Sequence, residues 1–141
     1  MKEIILGLWL GTLSLLDFRD REIPIGLTLL GGLIGMVFGI WEKRDIFELV
    51  LSCLPGCLAM VFAWVSKETI GYGDGLVLII MGIYLPISNL LSIGLQAIMI
   101  AGVVALVLLV VFHKRGSYRL PFIPFLGLAY GCESFIQWGK L

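Results

Sequence analysis

Gly71-Tyr72-Gly73-Asp74-Gly75 places a carboxylate on a glycine-flanked backbone at the mouth of an apolar run, Leu76–Leu85. A charge at hydrocarbon depth is expensive, so an acid in that position points to chemistry. Asp17, at the end of another apolar run (Ile4–Leu16), is the candidate second acid. Two carboxylates brought together where water is scarce cannot both stay ionised. They hold one proton between them and titrate as a unit. The ionised partner can take a proton from water, and the protonated partner can polarise a scissile carbonyl and then feed the leaving amine. This is aspartic-protease chemistry and it needs no metal, cofactor or nucleophilic side chain. The residues alone leave open which aspartate is acid and which is base.

Blander roles stand beside this one. Asp17 alone reads equally as a cap or loop residue at a membrane surface. Asp74 alone reads as the N-cap of a helix beginning at Gly75, a favoured place for aspartate. Glu133, inside the last apolar run, reads as a packed polar residue bonded to a neighbouring helix. On physical grounds a paired-aspartate site competes with a small transporter or channel component, in which Asp17, Asp74 and Glu133 line a polar path. An inactive partner protein is a third reading.

Other chemistries find no residues. His113 is the single histidine, which excludes a multi-histidine metal site, and it stands in a basic loop. There is no Gly-x-Ser-x-Gly for a serine hydrolase and no phosphate loop. Cys53, Cys57 and Cys132 lack a CxxC spacing and lie in apolar segments, so they read as small buried residues and not as zinc ligands. Net charge is zero, which gives no pull on nucleic acid.

The elements that must position the aspartates are membrane helices. Hydrophobic residues make up 60% of the 141-residue chain and charged residues 14%, against about 45–50% and about 25% in soluble domains. The expected fold is a single all-α, polytopic membrane domain over residues 1–141 with about six transmembrane helices. The spans are Ile4–Leu16, Ile23–Trp41, Ile46–Val65, Gly75–Leu85, Leu90–Phe112 and Leu120–Trp138. The first covers only about 20 Å of a core of about 30 Å. It must therefore run on through Asp17 and Phe18, or the bilayer must thin there. Pro24 stands in the first turn of the second span, where its missing N–H costs nothing. Gly31, Gly32 and Gly35 permit close helix approach, and Pro55-Gly56 can kink the third span. The fourth is too short to cross alone and reads as short or re-entrant. Trp41, Trp64 and Trp138 sit near span ends, as interfacial anchors do.

Two full spans separate Asp17 from Asp74, and an even number of crossings returns a chain to the face it left. The two acids therefore belong to one face. That face carries Arg19, Arg21, Lys67, Lys114, Arg115 and Arg119; the other carries Lys2, Lys43, Arg44 and Lys140. The excess of positive charge makes the aspartate face cytoplasmic.

These residues also carry a resemblance. Gly71-Tyr72-Gly73-Asp74 resembles the GxGD motif of intramembrane aspartyl proteases, and the run from Lys67 to Asp74 is similar to the corresponding stretch of type IV prepilin peptidases. Asp17-Phe18-Arg19-Asp20-Arg21-Glu22-Ile23-Pro24-Ile25-Gly26-Leu27-Thr28 resembles that family's first motif, and Pro121-Phe122-Ile123-Pro124-Phe125 its proline-containing segment before the last helix. The resemblance spans nearly the whole chain. It implies a multi-pass protein of the inner (cytoplasmic) membrane that cleaves the short basic leader from type IV prepilin-like precursors, in pilus assembly or protein secretion. Asp17 and Asp74 would be its catalytic pair, Gly71, Gly73 and Pro24 motif residues, and no cofactor would be needed. Asp20, Glu22, Lys67 and Glu68, on the same face, are candidate contacts for a basic leader. Two positions depart from the family pattern: Ile25 stands where Asn or Asp is usual, and Leu76 where lysine is common. The paired CxxC motifs of larger members that also N-methylate the product are missing from this sequence, so methyltransferase activity and zinc are not expected.

Overall fold

The computed structural model describes residues 1–20, 23–66, 71–111 and 120–140. Among them it is all helical: α1 (Lys2–Asp20), α2 (Ile25–Trp41), α3 (Ile46–Val65), α4 (Tyr72–Tyr84), α5 (Ile87–Val110) and α6 (Ile123–Gly139). By length and composition, α3 and α5 are long and apolar enough to cross a bilayer, while α2 and α4 are shorter apolar helices. The first helix runs on through Asp17 and Phe18 to Asp20, the first of the two ways its deficit in length could be met. Lys67, Glu68, Arg21, Glu22 and His113 lie outside the described residues.

Burial in α1 follows one stripe, Leu6, Trp9, Leu10, Leu13 and Asp17. These positions recur at three- and four-residue steps, so they share one helix face. Asp17 occupies the next place on the stripe after Leu13, and the apolar pattern that buries α1 thus carries the acid inward. On α6 the matching face is Ile123, Leu126, Ala129 and Tyr130. The two helices pack antiparallel, and the Tyr130 hydroxyl donates to the Glu3 carbonyl at 2.9 Å.

α4 is the central element, packed against α1, α2, α3 and α5. Its 13 residues reach about 20 Å. Among the described residues its contact with α3 is the most extensive, and at its glycines the two backbones approach closely. A Cβ on Gly82 would strike the Ser52 carbonyl, one on Gly56 the Ile79 amide, and one on Gly75 the Met60 side chain at 2.6 Å. Only glycine lets the two helices come this close. α3 itself runs unbroken through Pro55. On α2, Gly31 and Gly35 receive rings and Gly32 the Ile80 side chain, not a backbone. The Trp9 indole lies on Gly31 and donates to the Leu27 carbonyl at 2.9 Å. The Tyr84 ring lies on Gly35, and its hydroxyl donates to the Gly31 carbonyl at 2.8 Å.

At the end of the bundle away from Asp17, Lys2 pairs with Glu42, joining the start of α1 to the end of α2. The chain then turns through Lys43, which adopts φ 50, and the Arg44 amide closes onto the Gly39 carbonyl. A helix-ending turn of this kind favours glycine at the left-handed position. Here lysine holds it, and the turn directs Arg44 inward. Arg44 is not a solvated loop charge: its guanidinium, 10% exposed, spans the C-terminus of α4 and the first turns of α3.

The outer faces of α2, α3 and α5 carry large exposed apolar side chains, among them Leu33, Val37, Phe47, Phe62, Leu95 and Leu106. A surface of that kind suits hydrocarbon better than water. Trp41, Trp64 and Trp138 are exposed near helix ends, in keeping with anchoring at an interface. Cys57 and Cys132 are exposed and only Cys53 is half-buried, so two of the three expected buried thiols lie on the outside.

Candidate active site

The end of the bundle opposite Arg44 gathers the C-terminus of α1, the entry to α2 and the N-termini of α4 and α6. Asp17 and Asp74 both lie there, within electrostatic reach of each other. They come from different helices, Asp17 from α1 and Asp74 from α4.

Asp17 is 7% exposed. Its carboxyl accepts from the backbone N–H of Ile123, the first residue of α6. Its Oδ2 is buried and has no hydrogen-bond partner among the described residues. A buried acceptor without a donor costs about 1–3 kcal/mol. The remedy available beside it is a shared proton, or a water, between it and a neighbouring acid.

Asp74 stands in the first turn of α4, whose N-cap is Gly71. The helix starts three residues earlier than the expected Gly75, so Asp74 is not the N-cap. It is the third helical residue, and its carboxyl reaches back to accept from the Gly71 N–H, the acidic half of a capping box. Gly71 has no side chain to supply the other half. Each aspartate therefore lies at a helix N-terminus, Asp74 on α4 and Asp17 against α6. The positive ends of both helix dipoles offset the cost of negative charge there.

Gly73 seats the α2 entry. A Cβ on it would overlap the Ile23 side chain, so the absence of one lets the segment after Asp17 lie on the Gly71–Asp74 turn. Pro24 follows as the N-cap of α2, one step before the first turn in which it was expected. Its carbonyl accepts from the Thr28 amide at 3.1 Å and from the Thr28 hydroxyl at 3.0 Å.

The weaker candidates separate from this pair. Asp20 is exposed, with Arg19 Nε at 3.9 Å as its neighbour. Glu22, Lys67 and Glu68 fall outside the described residues. Glu133 accepts from Gln96 of α5 at 3.0 Å. It lies ten residues along α6 from Ile123, about 15 Å, and past Tyr130, which bonds the start of α1. It behaves as a packed polar residue bonded to a neighbouring helix and does not join the aspartates. Among the described residues no group of His, Cys, Asp and Glu could hold a metal ion.

Sequence reading missed Arg44. A signal was present: α4 ends just before Pro86, which has no N–H to give to the Gly82 carbonyl, so a donor had to come from elsewhere.

The chain belongs to the type IV leader peptidase family, whose model matches residues 4–114. It is similar to a prepilin leader peptidase/N-methyltransferase of Pseudomonas putida, at 32% identity over 131 residues, covering 83% of this chain and 43% of that protein. The chain thus spans less than half the length of that relative. No solved structure matches it.

Proposed function

We propose that the protein is a membrane-embedded aspartyl endopeptidase that removes the short basic leader of type IV prepilin-like precursors. In this reading it crosses the inner membrane several times, with α4 as a short or re-entrant segment, and the Asp17/Asp74 end faces the cytoplasm. The observation that carries the reading is the buried, unpartnered Oδ2 of Asp17 within electrostatic reach of Asp74. Membership of the leader peptidase family supports it.

The chemistry follows from the pair. With one proton between them, the ionised carboxylate takes a proton from water as the hydroxyl oxygen bonds to the scissile carbon. The protonated carboxyl donates to the carbonyl oxygen. As the tetrahedral diol collapses, the carboxyl that took the proton from water gives it to the leaving amine, the C–N bond breaks, and one diol proton returns to the other carboxylate, restoring the single shared proton. The helix N-termini behind both acids stabilise negative charge while it is held there. Asp20, Glu22, Lys67 and Glu68 remain the candidate contacts for a basic leader.

Glu133 bonded to Gln96, at a distance from both aspartates, gives no support to a polar path through the three acids. The test uses purified Asp17→Asn and Asp74→Asn in liposomes with a precursor peptide. Each change is expected to abolish cleavage that the wild type performs. Retained cleavage by either variant refutes the pair, and absence of wild-type turnover favours an inactive partner protein.

A further inference from the structure

α4 has an unusual C-terminus. The Met81 carbonyl is met by the Leu85 amide at 2.9 Å. The next carbonyl, Gly82, cannot be met in the same way, because residue 86 is proline. The chain also leaves the helix at Leu85 (φ −115, ψ 148), which turns the following amides away. Arg44 supplies the donors. Its Nη1 gives to the Ile83 carbonyl at 2.8 Å and the Gly82 carbonyl at 3.3 Å. Its Nη2 gives to the Leu85 carbonyl at 3.2 Å, Glu48 Oε1 at 3.4 Å and Ser52 Oγ at 3.5 Å. One planar cation thus ties the last turn of α4 to the first two turns of α3.

This tie matters because of how the two helices touch elsewhere. At Gly56, Gly75 and Gly82 the helices approach backbone to backbone, with the Ile79 and Met60 side chains also in the contact. These glycine notches set how close the helices lie, and the Arg44 bonds add a tie along the axis at the end of α4 farthest from Asp74. A slip of one turn is about 5.4 Å, enough to part the aspartates. Asp74 lies nine residues from Ile83, about 14 Å along a rigid helix.

We propose that Arg44 is a positioning residue for Asp74. From the opposite end of α4 it fixes the axial register of that helix on α3, and so the height at which Asp74 meets Asp17. The fork geometry matters as well as the charge, since three carbonyls, a carboxylate and a hydroxyl are held at once. The effect on catalysis rests on the peptidase reading; the register does not.

The test separates the two. Spin labels are placed at Phe18→Cys and Tyr72→Cys, exposed neighbours of the two aspartates, in a background with the native cysteines replaced by alanine. Distances are read by pulsed electron resonance in liposomes. The parent is expected to give one narrow distance. Arg44→Gln should shift or broaden it by up to about 5 Å, one helical turn, with Arg44→Lys intermediate. On a precursor peptide, kcat should fall about 100-fold for Arg44→Gln, the order expected for ångström-scale misplacement. KM should stay within about twofold, because no leader contact is touched, and Arg44→Lys should recover part of kcat. If Arg44→Gln does not fold, Arg44→Lys alone decides. Parental distances in every folded variant overturn the register, and altered distances with parental kcat overturn its link to Asp74. If the parent itself cleaves nothing, the peptidase reading fails while the distances still judge the register.

Discussion

Gly56→Ala offers a sharp test of the packing that holds Asp74 in place. The added methyl would stand 2.9 Å from the Gly75 carbonyl oxygen and closer still to the Ile79 amide. Both are backbone atoms of α4 and cannot swing aside, so the helices must separate. Overpacking of this kind costs about 1–3 kcal/mol, and here the upper half of that range applies. Alanine also gains about 1 kcal/mol over glycine in any helix interior. That gain can be cancelled with a control, because Gly102 lies exposed in the middle of α5, where an added methyl would meet nothing within 4 Å. The stability difference between Gly56→Ala and Gly102→Ala therefore isolates the packing cost, about 2–3 kcal/mol in favour of Gly102→Ala. Reversible unfolding in mixed micelles, followed by helical circular dichroism, measures it. Cleavage of a precursor peptide should fall with Gly56→Ala and persist with Gly102→Ala. Equal stability of the two variants would refute the backbone contact between α3 and α4.

Other outcomes follow from the site. Gly73→Ala should reduce peptide cleavage more than it reduces stability, because its methyl meets the flexible end of Ile23. Ile23→Ala in the same chain should restore part of the rate, giving a non-additive cycle of about 0.5–3 kcal/mol in activation free energy. Glu133→Gln should leave peptide cleavage within about twofold, since its partner is Gln96 and not the aspartates; a loss of ten times or more would return Glu133 to the site. It should also leave proton flux across liposomes unchanged, and flux abolished by this change alone would revive the transporter reading.

The sequence made some of this plain and hid the rest for physical reasons. α3 was legible at both ends because Asp45 and Ser66 bound an apolar run whose single charge is Glu48, in the first turn. The common end of Asp17 and Asp74 was legible because it depends only on counting spans. The start of α4 was not. Gly71-Tyr72-Gly73 has the composition of a turn, yet only Gly71 stays outside the helix as its N-cap, and Tyr72 and Gly73 form its first turn with Ile23 seated on Gly73. The direction of burial misled for Cys57 and Cys132, because in a chain with an apolar exterior a small apolar residue has no reason to turn inward. Arg44 was hidden by the habit of assigning charges in a short polar turn to solvent. Its role depends on a missing N–H forty-two positions away, at Pro86.

The two carboxylates ride on different pairs of helices. Asp74 belongs to α3 and α4, which touch through their main chains; Asp17 belongs to α1 and α6, fastened at one end by Ile123 and near the other by Tyr130. Under the proposed peptidase reading, a peptide would reach the acids along the seam between these two pairs, with neither pair unravelled and each keeping its own carboxylate.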